Sequence, residues 1–295
     1  MAYGTPSTRD DVEAYYTRIR HGHAPSAEQL DDLIRRYDAI GGISPLAERT
    51  AAQVTAVANE LERRDPGQFV VVFGSKYEPP LIEDACASLL AVGITRVIAV
   101  VLAPHTSALS TGQYFDRARS ALGPAADLVE IGAWWSEPQF VHLIAERVTE
   151  ALSQLDEKKR RDARVIFTAH SLPVSAVTTN DSYREQLAAS AELAARAAGI
   201  QLWDVAWQSA GRTADERIGP DILVALTQLA QTNVRDVVVC PIGFVADHLE
   251  VLYDLDIQAS EHAAKLGLGF SRTVSLNDDS RLMNLLADLV VQKSS

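Results

Sequence analysis

The chain has 295 residues, 47% of them hydrophobic, which is enough to bury a large core without disulfide bonds. Its formal charge of −12, with no basic run longer than residues 158–161, argues against nucleic acid or an anionic membrane as partner. Cys86 and Cys240 lie far apart, which excludes a four-cysteine zinc or iron–sulfur site and fits a reduced compartment.

The longest apolar runs, such as residues 97–103, are far shorter than the roughly 20 residues that span a bilayer, so no transmembrane helix is expected. Residues 1–6 lack a basic stretch followed by an apolar one, so no secretory signal is expected. These features predict a cytoplasmic protein. No repeat or long exposed apolar stretch suggests an obligate interface, so a monomer is expected.

Short β-branched runs alternate along the chain with longer amphipathic segments, which predicts an α/β fold with parallel sheets flanked by helices. The predicted strands cover residues 68–74, 96–103, 128–131, 163–169, 202–208 and 236–241. The predicted helices cover residues 8–20, 27–37, 45–64, 80–92, 111–122, 137–155, 182–198, 221–231 and 280–293. The charged stretch 156–162 suggests a crossing between two domains, residues 1–150 and 151–295.

Two segments in different halves share the pattern alanine, aromatic ring, two residues, proline. They are residues 2–6 (AYGTP) and residues 169–173 (AHSLP), and the second follows a clear strand. Proline restricts the residue before it and lacks an amide donor, so both segments should leave a sheet at the carboxyl end of a strand. Ligands bind at that edge in open α/β sheets, which predicts Tyr3 and His170 on opposite walls of one cleft.

The segment 240–254 (CPIGFVADHLEVLYD) is the richest in candidate functional residues. It runs from a buried strand through a glycine loop into a helix, and a spacing of four places Glu250, Asp254 and Gln258 along one helical face. Such a face is most often simply solvated, but Glu250 begins its helix directly after a strand end. Imidazole and carboxylate suit ferrous iron, so His170 and Glu250 could hold a weakly bound, deliverable metal.

Several segments resemble the signature motifs of ferrochelatases, in the same order. They are residues 41–46 (GGISPL), 167–173 (FTAHSLP), 205–211 (VAWQSAG), 219–220 (GP) and 241–254 (PIGFVADHLEVLYD). Residues 1–6 (MAYGTP) and 101–105 (VLAPH) look like the coproporphyrin-using branch of Gram-positive bacteria. The resemblance covers essentially the whole chain.

This resemblance implies two similar Rossmann-like domains with the active site in the cleft between them, and a final helix that could cross back to the first domain. It also implies insertion of ferrous iron into coproporphyrin III, with iron as substrate, no tightly bound cofactor and no iron–sulfur cluster. His170 and Glu250 match the catalytic, metal-receiving pair, and Tyr3 matches an axial ligand of the product iron. Asp254 matches a possible metal path. The positions that match porphyrin-binding residues are Arg20, Arg36, Tyr37, Ser44 and Tyr114.

Three positions depart from the family pattern: His21 stands where a second arginine is common, Tyr77 where histidine is common, and Gln258 where a third acid is common. The resemblance implies that His21 reduces the attraction for the propionates and that Tyr77 weakens or changes any outer role in handling iron. It also implies that Gln258 shortens the proposed metal path to Glu250 and Asp254. Three alternatives remain open from the sequence: a ferrochelatase for protoporphyrin, a chelatase for another tetrapyrrole, and a non-catalytic haem or porphyrin carrier. Glu250 lies near two further acids, Asp247 and Asp254, so we expect its pKa to be raised.

Overall fold

The computed structural model describes residues 1–176, 181–209 and 216–294. The amino-terminal half contains a two-stranded parallel sheet of β1 (Arg96–Val100) and β2 (Asp127–Ile131). Its helices are α1 (Val12–Ile19), α2 (Ala27–Ala39), α3 (Leu46–Arg64), α4 (Ile82–Ala91), α5 (Gln113–Leu122) and α6 (Pro138–Ser153). Short helical turns at Arg9–Asp11, Ala108–Gly112 and Gly123–Ala125 precede or follow these helices.

The carboxyl-terminal half is built on a four-stranded sheet in the order β4-β3-β5-β6. Its strands are β3 (Arg164–His170), β4 (Trp203–Gln208), β5 (Asp236–Cys240) and β6 (Gly269–Arg272), and all pairs are parallel. Its helices are α7 (Glu157–Asp162), α8 (Tyr183–Ala197), α9 (Ile222–Ala230), α10 (Leu249–Val251), α11 (Ser260–Lys265) and α12 (Ser280–Ser294). A short turn at Val174–Ala176 follows β3, and a π-helical segment, Leu252–Ala259, joins α10 to α11. The α/β class and the parallel sheets predicted from the sequence are confirmed.

Helix starts follow local capping chemistry. At α2, the Ser26 side chain accepts a hydrogen bond from the Gln29 amide, and the Gln29 side chain accepts one from the Ser26 amide. Asp156 caps α7 and Asp221 caps α9 in the same way, through bonds from the Lys159 and Leu223 amides. These side chains satisfy amides that the first helical turn leaves without partners.

Two elements differ from the prediction. Residues 68–74 belong to no strand, so the predicted first strand is wrong for this structure. Strand β6 was not predicted, because its sequence GFSR mixes glycine, serine and arginine and its position at the sheet edge leaves it incompletely buried. The charged stretch 156–162 consists of α7 and its capping residue Asp156.

One hydrophobic core extends through both halves. It joins Leu61 of α3 and Ile144 of α6 to Phe167 of β3, Cys240 of β5 and Leu286 of α12. Arg64 of α3 reinforces this contact through hydrogen bonds to Asp288 and Asn284 of α12, at 3.0 and 2.9 Å. The two halves therefore pack against each other through buried apolar side chains.

Candidate active site

His170 is the last residue of β3, and Glu250 lies in the first turn of α10. The two are 80 residues apart in sequence, yet His170 Nδ1 lies 2.7 Å from Glu250 Oε2. The loop after β5 makes this approach possible: the Gly243 amide donates to the Thr168 carbonyl at 3.0 Å. A Cβ atom on Gly243 would lie 2.4 Å from the Ala169 Cβ, so only glycine lets the loop pass this close to β3.

Gln208, the last residue of β4, holds the strand ends and the helix start together. It is fully buried; its side-chain oxygen accepts from Thr168 Oγ1 at 2.7 Å, and its amide nitrogen donates to the Glu250 carbonyl at 3.0 Å. Tyr183 of α8 holds the backbone of His170, because its hydroxyl donates to the His170 carbonyl at 3.1 Å. The His170–Glu250 pair thus stands on a rigid frame of buried hydrogen bonds.

Ser209 links the pair to a second carboxylate. Its hydroxyl lies 2.6 Å from Asp254 Oδ2 and 3.3 Å from Glu250 Oε2. Its backbone has φ 54°, a conformation uncommon for a non-glycine residue and often found at functional sites. Asp254 itself is buried within the π-helical segment. A continuous chain of polar groups therefore runs from His170 through Glu250 and Ser209 to Asp254.

The pKa values of these polar groups contradict the expectation that the pKa of Glu250 is raised. Burial by itself raises the pKa of Glu250, but the ion pair and hydrogen bond with His170, aided by His248 and Ser209, outweigh it and lower the pKa to about 2. Asp254 is the carboxyl whose pKa is raised, to about 7, chiefly by burial and then by the negative charge of Glu250. The expected rise in the pKa of Glu250 was wrong because the sequence did not place His170 in contact with it.

The pKa of His170 shifts upward, as expected for the cationic partner of a carboxylate. Burial lowers its pKa, but the charge and hydrogen bond of Glu250 prevail and the pKa is raised above 6.5. Asp247, the other acid expected to act on Glu250, is instead bound by Ser275, Asn277 and Arg272, and its pKa is lowered. The site thus pairs a histidine whose pKa is raised with a carboxylate whose pKa is lowered, beside a second carboxyl group, Asp254, whose pKa is raised to about 7.

Tyr3 lies on the amino-terminal half. Partial burial raises the pKa of its phenol above 10.0, with further increases from Tyr77 and from the charge of Glu250. Tyr3 is therefore close enough to Glu250 for the carboxylate charge to act on its phenol. The Tyr3 ring packs edge-on against Tyr77, with ring centroids 4.8 Å apart, and 42% of Tyr3 remains exposed.

The other predicted porphyrin-binding residues also belong to the amino-terminal half, and they differ in how far they are buried. Tyr37, Ser44 and Tyr114 are buried, and Ser44 accepts a hydrogen bond from the Leu46 amide. Arg36 reaches across to the carboxyl-terminal half, with its guanidinium 5.2 Å from the Tyr253 ring centroid. Arg20 lies over Tyr16 and donates to the His23 carbonyl.

Lys76 is a cation that sequence reasoning missed. It is buried, and its ammonium lies 5.2 Å from the ring centroids of both Tyr77 and Tyr114. Burial, followed by repulsion from Arg117, lowers its pKa to about 8. Gln208 and Ser209 were also missed, although both lie inside the motif 205–211 and their polar side chains at a strand end were the available signal.

In the part of the chain that the structure describes, no group of three or more histidine, cysteine or acidic side chains is placed to hold a metal ion. No helix among the described residues is long and apolar enough to cross a membrane. Two parallel sheets, with an imidazole–carboxylate pair at the carboxyl end of one, are the arrangement expected of an α/β enzyme of the chelatase class.

Comparison with known proteins supports this class. The ferrochelatase family model matches residues 1–294, and the chain belongs to the ferrochelatase family. Coproporphyrin III ferrochelatase 2 of Bacillus cereus is 42% identical over 99% of this chain and 92% of its own length. The coproporphyrin III ferrochelatase of Geobacillus sp. and the ferrochelatase of Herpetosiphon aurantiacus are each 40% identical, over 99% and 98% of this chain and 96% of their own lengths.

Two solved structures share the fold. SirB from Bacillus subtilis with Fe3+ has a TM-score of 0.58 at 14% identity and covers 82% of this chain and 90% of its own. CbiX, the terminal enzyme for siroheme biosynthesis in denitrifying bacteria, has a TM-score of 0.52 at 16% identity, covering 85% and 94%. At these identities the likeness concerns the fold alone, and it confirms the chelatase-like architecture.

The pKa of Asp254 predicts a pH-dependent rate of metal insertion. A carboxyl with a pKa of about 7 accepts protons only above that pH, so the rate should rise as pH increases through about 7. Asp254→Asn removes the accepting oxygen and should abolish this rise. The measurement is kcat against pH on both sides of neutrality.

Asp256→Asn is the matched control, because Asp256 lies in the same π-helical segment but is exposed and paired with Arg272. It should keep the wild-type profile. An unchanged inflection near pH 7 in Asp254→Asn would contradict the assignment of Asp254.

Proposed function

We propose that this chain inserts ferrous iron into coproporphyrin III to give iron coproporphyrin III, in haem biosynthesis in the cytoplasm. The observation that carries the proposal is the 2.7 Å contact of His170 with Glu250, whose charge also acts on the phenol of Tyr3. The names of the Bacillus and Geobacillus relatives favour coproporphyrin III over other tetrapyrroles. We further propose that residues 1–150 and 151–295 are two domains with the active site in the cleft between them.

Metal insertion forms bonds from iron to the porphyrin nitrogens and releases two pyrrole protons, so the site must both receive a cation and accept protons. In our proposal His170 and Glu250 receive the metal, since imidazole and carboxylate are suitable ligands for ferrous iron. Ligation of iron requires the neutral imidazole of His170. Ser209 then connects Glu250 to Asp254, whose pKa of about 7 suits a proton acceptor.

The porphyrin's carboxylates require cations and hydroxyl donors. We propose Arg20, Arg36, Tyr37, Ser44 and Tyr114 as porphyrin-binding residues, and we add Lys76. Burial, followed by repulsion from Arg117, lowers the pKa of Lys76 to about 8, and a propionate would supply a counter-charge. We propose that Asp254 lies on the path by which the metal reaches the site. The exposed Gln258 marks where that path would reach solvent. No tightly bound cofactor is proposed, and the enzyme is proposed to act as a monomer.

The proposal is tested by measuring anaerobic insertion of ferrous iron, with the loss of porphyrin fluorescence as the readout. Turnover on coproporphyrin III with little on protoporphyrin IX is the expected result. Faster turnover on protoporphyrin IX would move the chain to the neighbouring branch. Tight binding of iron coproporphyrin without turnover on either substrate would make it a carrier.

Tyr3 is proposed as the axial ligand of the product iron. Phenolate binds ferric haem iron, and a bound cation would reverse the raised pKa of the phenol. Tyr3→Phe should weaken binding of ferric coprohaem by about tenfold, a loss of roughly 1.4 kcal/mol. It should also remove the phenolate-to-iron absorption band, as measured by spectroscopic titration.

Tyr77→Phe is the control, because Tyr77 packs against the Tyr3 ring and carries the other nearby phenol. It should retain the absorption band. If Tyr77→Phe loses the band and Tyr3→Phe keeps it, then Tyr77 is the ligand.

A further inference from the structure

Arg217 contacts His170 through the ring nitrogen that Glu250 does not use. Because His170 Nδ1 lies 2.7 Å from Glu250 Oε2, Nε2 is the ring nitrogen that remains for another partner. The Arg217 guanidinium lies on this side: its Nη2 is 3.5 Å from His170 Nε2 and donates to the Ser171 carbonyl at 2.5 Å. The imidazole is therefore placed between a carboxylate and a guanidinium.

Backbone pairing holds Arg217 in this position. An antiparallel bridge pairs Arg217 with Pro173, three residues after the end of β3. Backbone hydrogen bonds of 3.0 and 2.8 Å flank this bridge, from the Ile218 amide to the Leu172 carbonyl and from the Val174 amide to the Glu216 carbonyl. Because the backbone on both sides of Arg217 is fixed, its side chain starts from a defined point beside His170.

The lone pair of His170 Nε2 is also what a metal would need. A guanidinium only donates hydrogen bonds and stays charged, so in neutral His170 this contact places the lone pair on Nε2 and the proton on Nδ1, toward Glu250. A metal binds the lone pair of a neutral imidazole. As long as Nδ1 stays bonded to Glu250, a metal bound by His170 must therefore take the position that Arg217 covers.

The charges around His170 act on a metal in opposite directions. Glu250 and Asp254, which Ser209 joins, supply carboxylates that attract a cation. Arg217 places a permanent positive charge 3.5 Å from Nε2, and its half-buried position reduces screening by water. A metal at Nε2 therefore binds more weakly than it would without Arg217, or binds only after the guanidinium has moved aside. A site that passes its metal to a second ligand requires such weak binding.

We propose that Arg217 competes with the substrate metal for His170 Nε2 and thereby keeps metal binding weak enough for release to the tetrapyrrole. Arg217 is a positioning residue, because it acts through His170 rather than on the reacting atoms. This role deepens the proposed function and rests on it, since it requires His170 to be a metal ligand. Removing the positive charge should tighten metal binding, whereas loss of a merely structural contact would weaken it.

The experiment is a calorimetric titration of the metal-free protein with Co2+, a divalent first-row metal that suits the same ligands as ferrous iron. Arg217→Gln keeps a donor for the Ser171 carbonyl but removes the charge, and it should tighten Co2+ binding by about tenfold. Arg217→Lys keeps the charge and should stay within about threefold of the wild type. Unchanged or weaker binding in Arg217→Gln would overturn the proposal, and so would equal tightening in Arg217→Lys.

Two further variants identify the origin of the gain in affinity. Adding His170→Ala to Arg217→Gln should remove the gain, because the proposed competition takes place at His170. Arg196→Gln is the matched control: it changes the net charge equally, but Arg196 is exposed in the last turn of α8 and paired with Glu192. It should bind Co2+ as the wild type does. A gain that persists without His170, or one that also occurs in Arg196→Gln, would refute competition at Nε2.

The titration needs no porphyrin, so insertion into coproporphyrin III is measured separately. Tighter Co2+ binding in Arg217→Gln, together with absent turnover in the wild type, would support the competition and overturn the proposed function. Normal wild-type turnover with unchanged Co2+ affinity in Arg217→Gln would support the proposed function and overturn the role of Arg217.

Discussion

His170→Ala is expected to reduce ferrous iron insertion by at least about 10³-fold while porphyrin binding stays measurable. His170 makes the shortest contact to Glu250, so its loss removes one proposed metal ligand and the counter-charge of the other. Without His170, burial and the charge of Asp254 should raise the pKa of Glu250. The measurements are single-turnover insertion and fluorescence titration of bound porphyrin.

His142→Ala is the control, because His142 is exposed on α6 and should leave turnover unchanged. Added imidazole should partly restore insertion in His170→Ala, which separates a lost ligand from a collapsed site. Near wild-type turnover in His170→Ala would refute the assignment of His170.

Glu250→Gln is expected to have the second largest effect, a loss of about 10²-fold or more in kcat with little change in porphyrin affinity. The amide keeps the volume of the carboxylate but can neither neutralise His170 nor accept a proton. The pKa of His170 should therefore fall, since the charge and hydrogen bond of Glu250 are what raise it. Titration of the His170 ring by NMR measures this directly.

The same pair should influence stability over a defined pH window. The lowered pKa of Glu250 contributes stability above its ordinary pKa of 4.5, and this is lost as pH falls toward about 2. The raised pKa of His170 contributes stability below its ordinary pKa of 6.5, and this is lost as pH rises through its folded value. Both contributions are complete between pH 4.5 and 6.5, where Glu250→Gln should cost the most free energy of unfolding.

Glu261→Gln is the matched control, since Glu261 is an exposed acid on the neighbouring helix α11. It should change neither kcat nor the His170 titration. An unaltered His170 pKa in Glu250→Gln would mean that the 2.7 Å contact is absent in solution.

Much of the fold followed from local patterns in the sequence. Apolar runs ending at proline located β3 and β5, and the segment 167–173 placed His170 at a strand end. The failures have physical causes. Residues 68–74 have the composition of a strand, but pairing requires a neighbour, and composition does not supply one.

The sequence predicted several residues of the candidate site, but it did not predict their pKa shifts. Four-residue spacing suggested Glu250 and Asp254 together, and Ser209 does join them. The expected direction of the Glu250 pKa was wrong because a pKa depends on contacts between residues distant in sequence, here 80 positions apart. Ser209 and Gln208 form hydrogen bonds with residues distant in sequence, and the spacing of residues along a helix does not predict such bonds.

The shared core between the halves has a mechanical consequence. Leu61, Ile144 and Leu286 pack in one cluster with Phe167 and Cys240, so swinging one half away from the other would expose buried apolar surface. Large hinge opening is therefore disfavoured, and a flat macrocycle should enter and leave along the open edge of a preformed cleft. The same coupling should make the two halves melt together, as one cooperative transition in calorimetry rather than two.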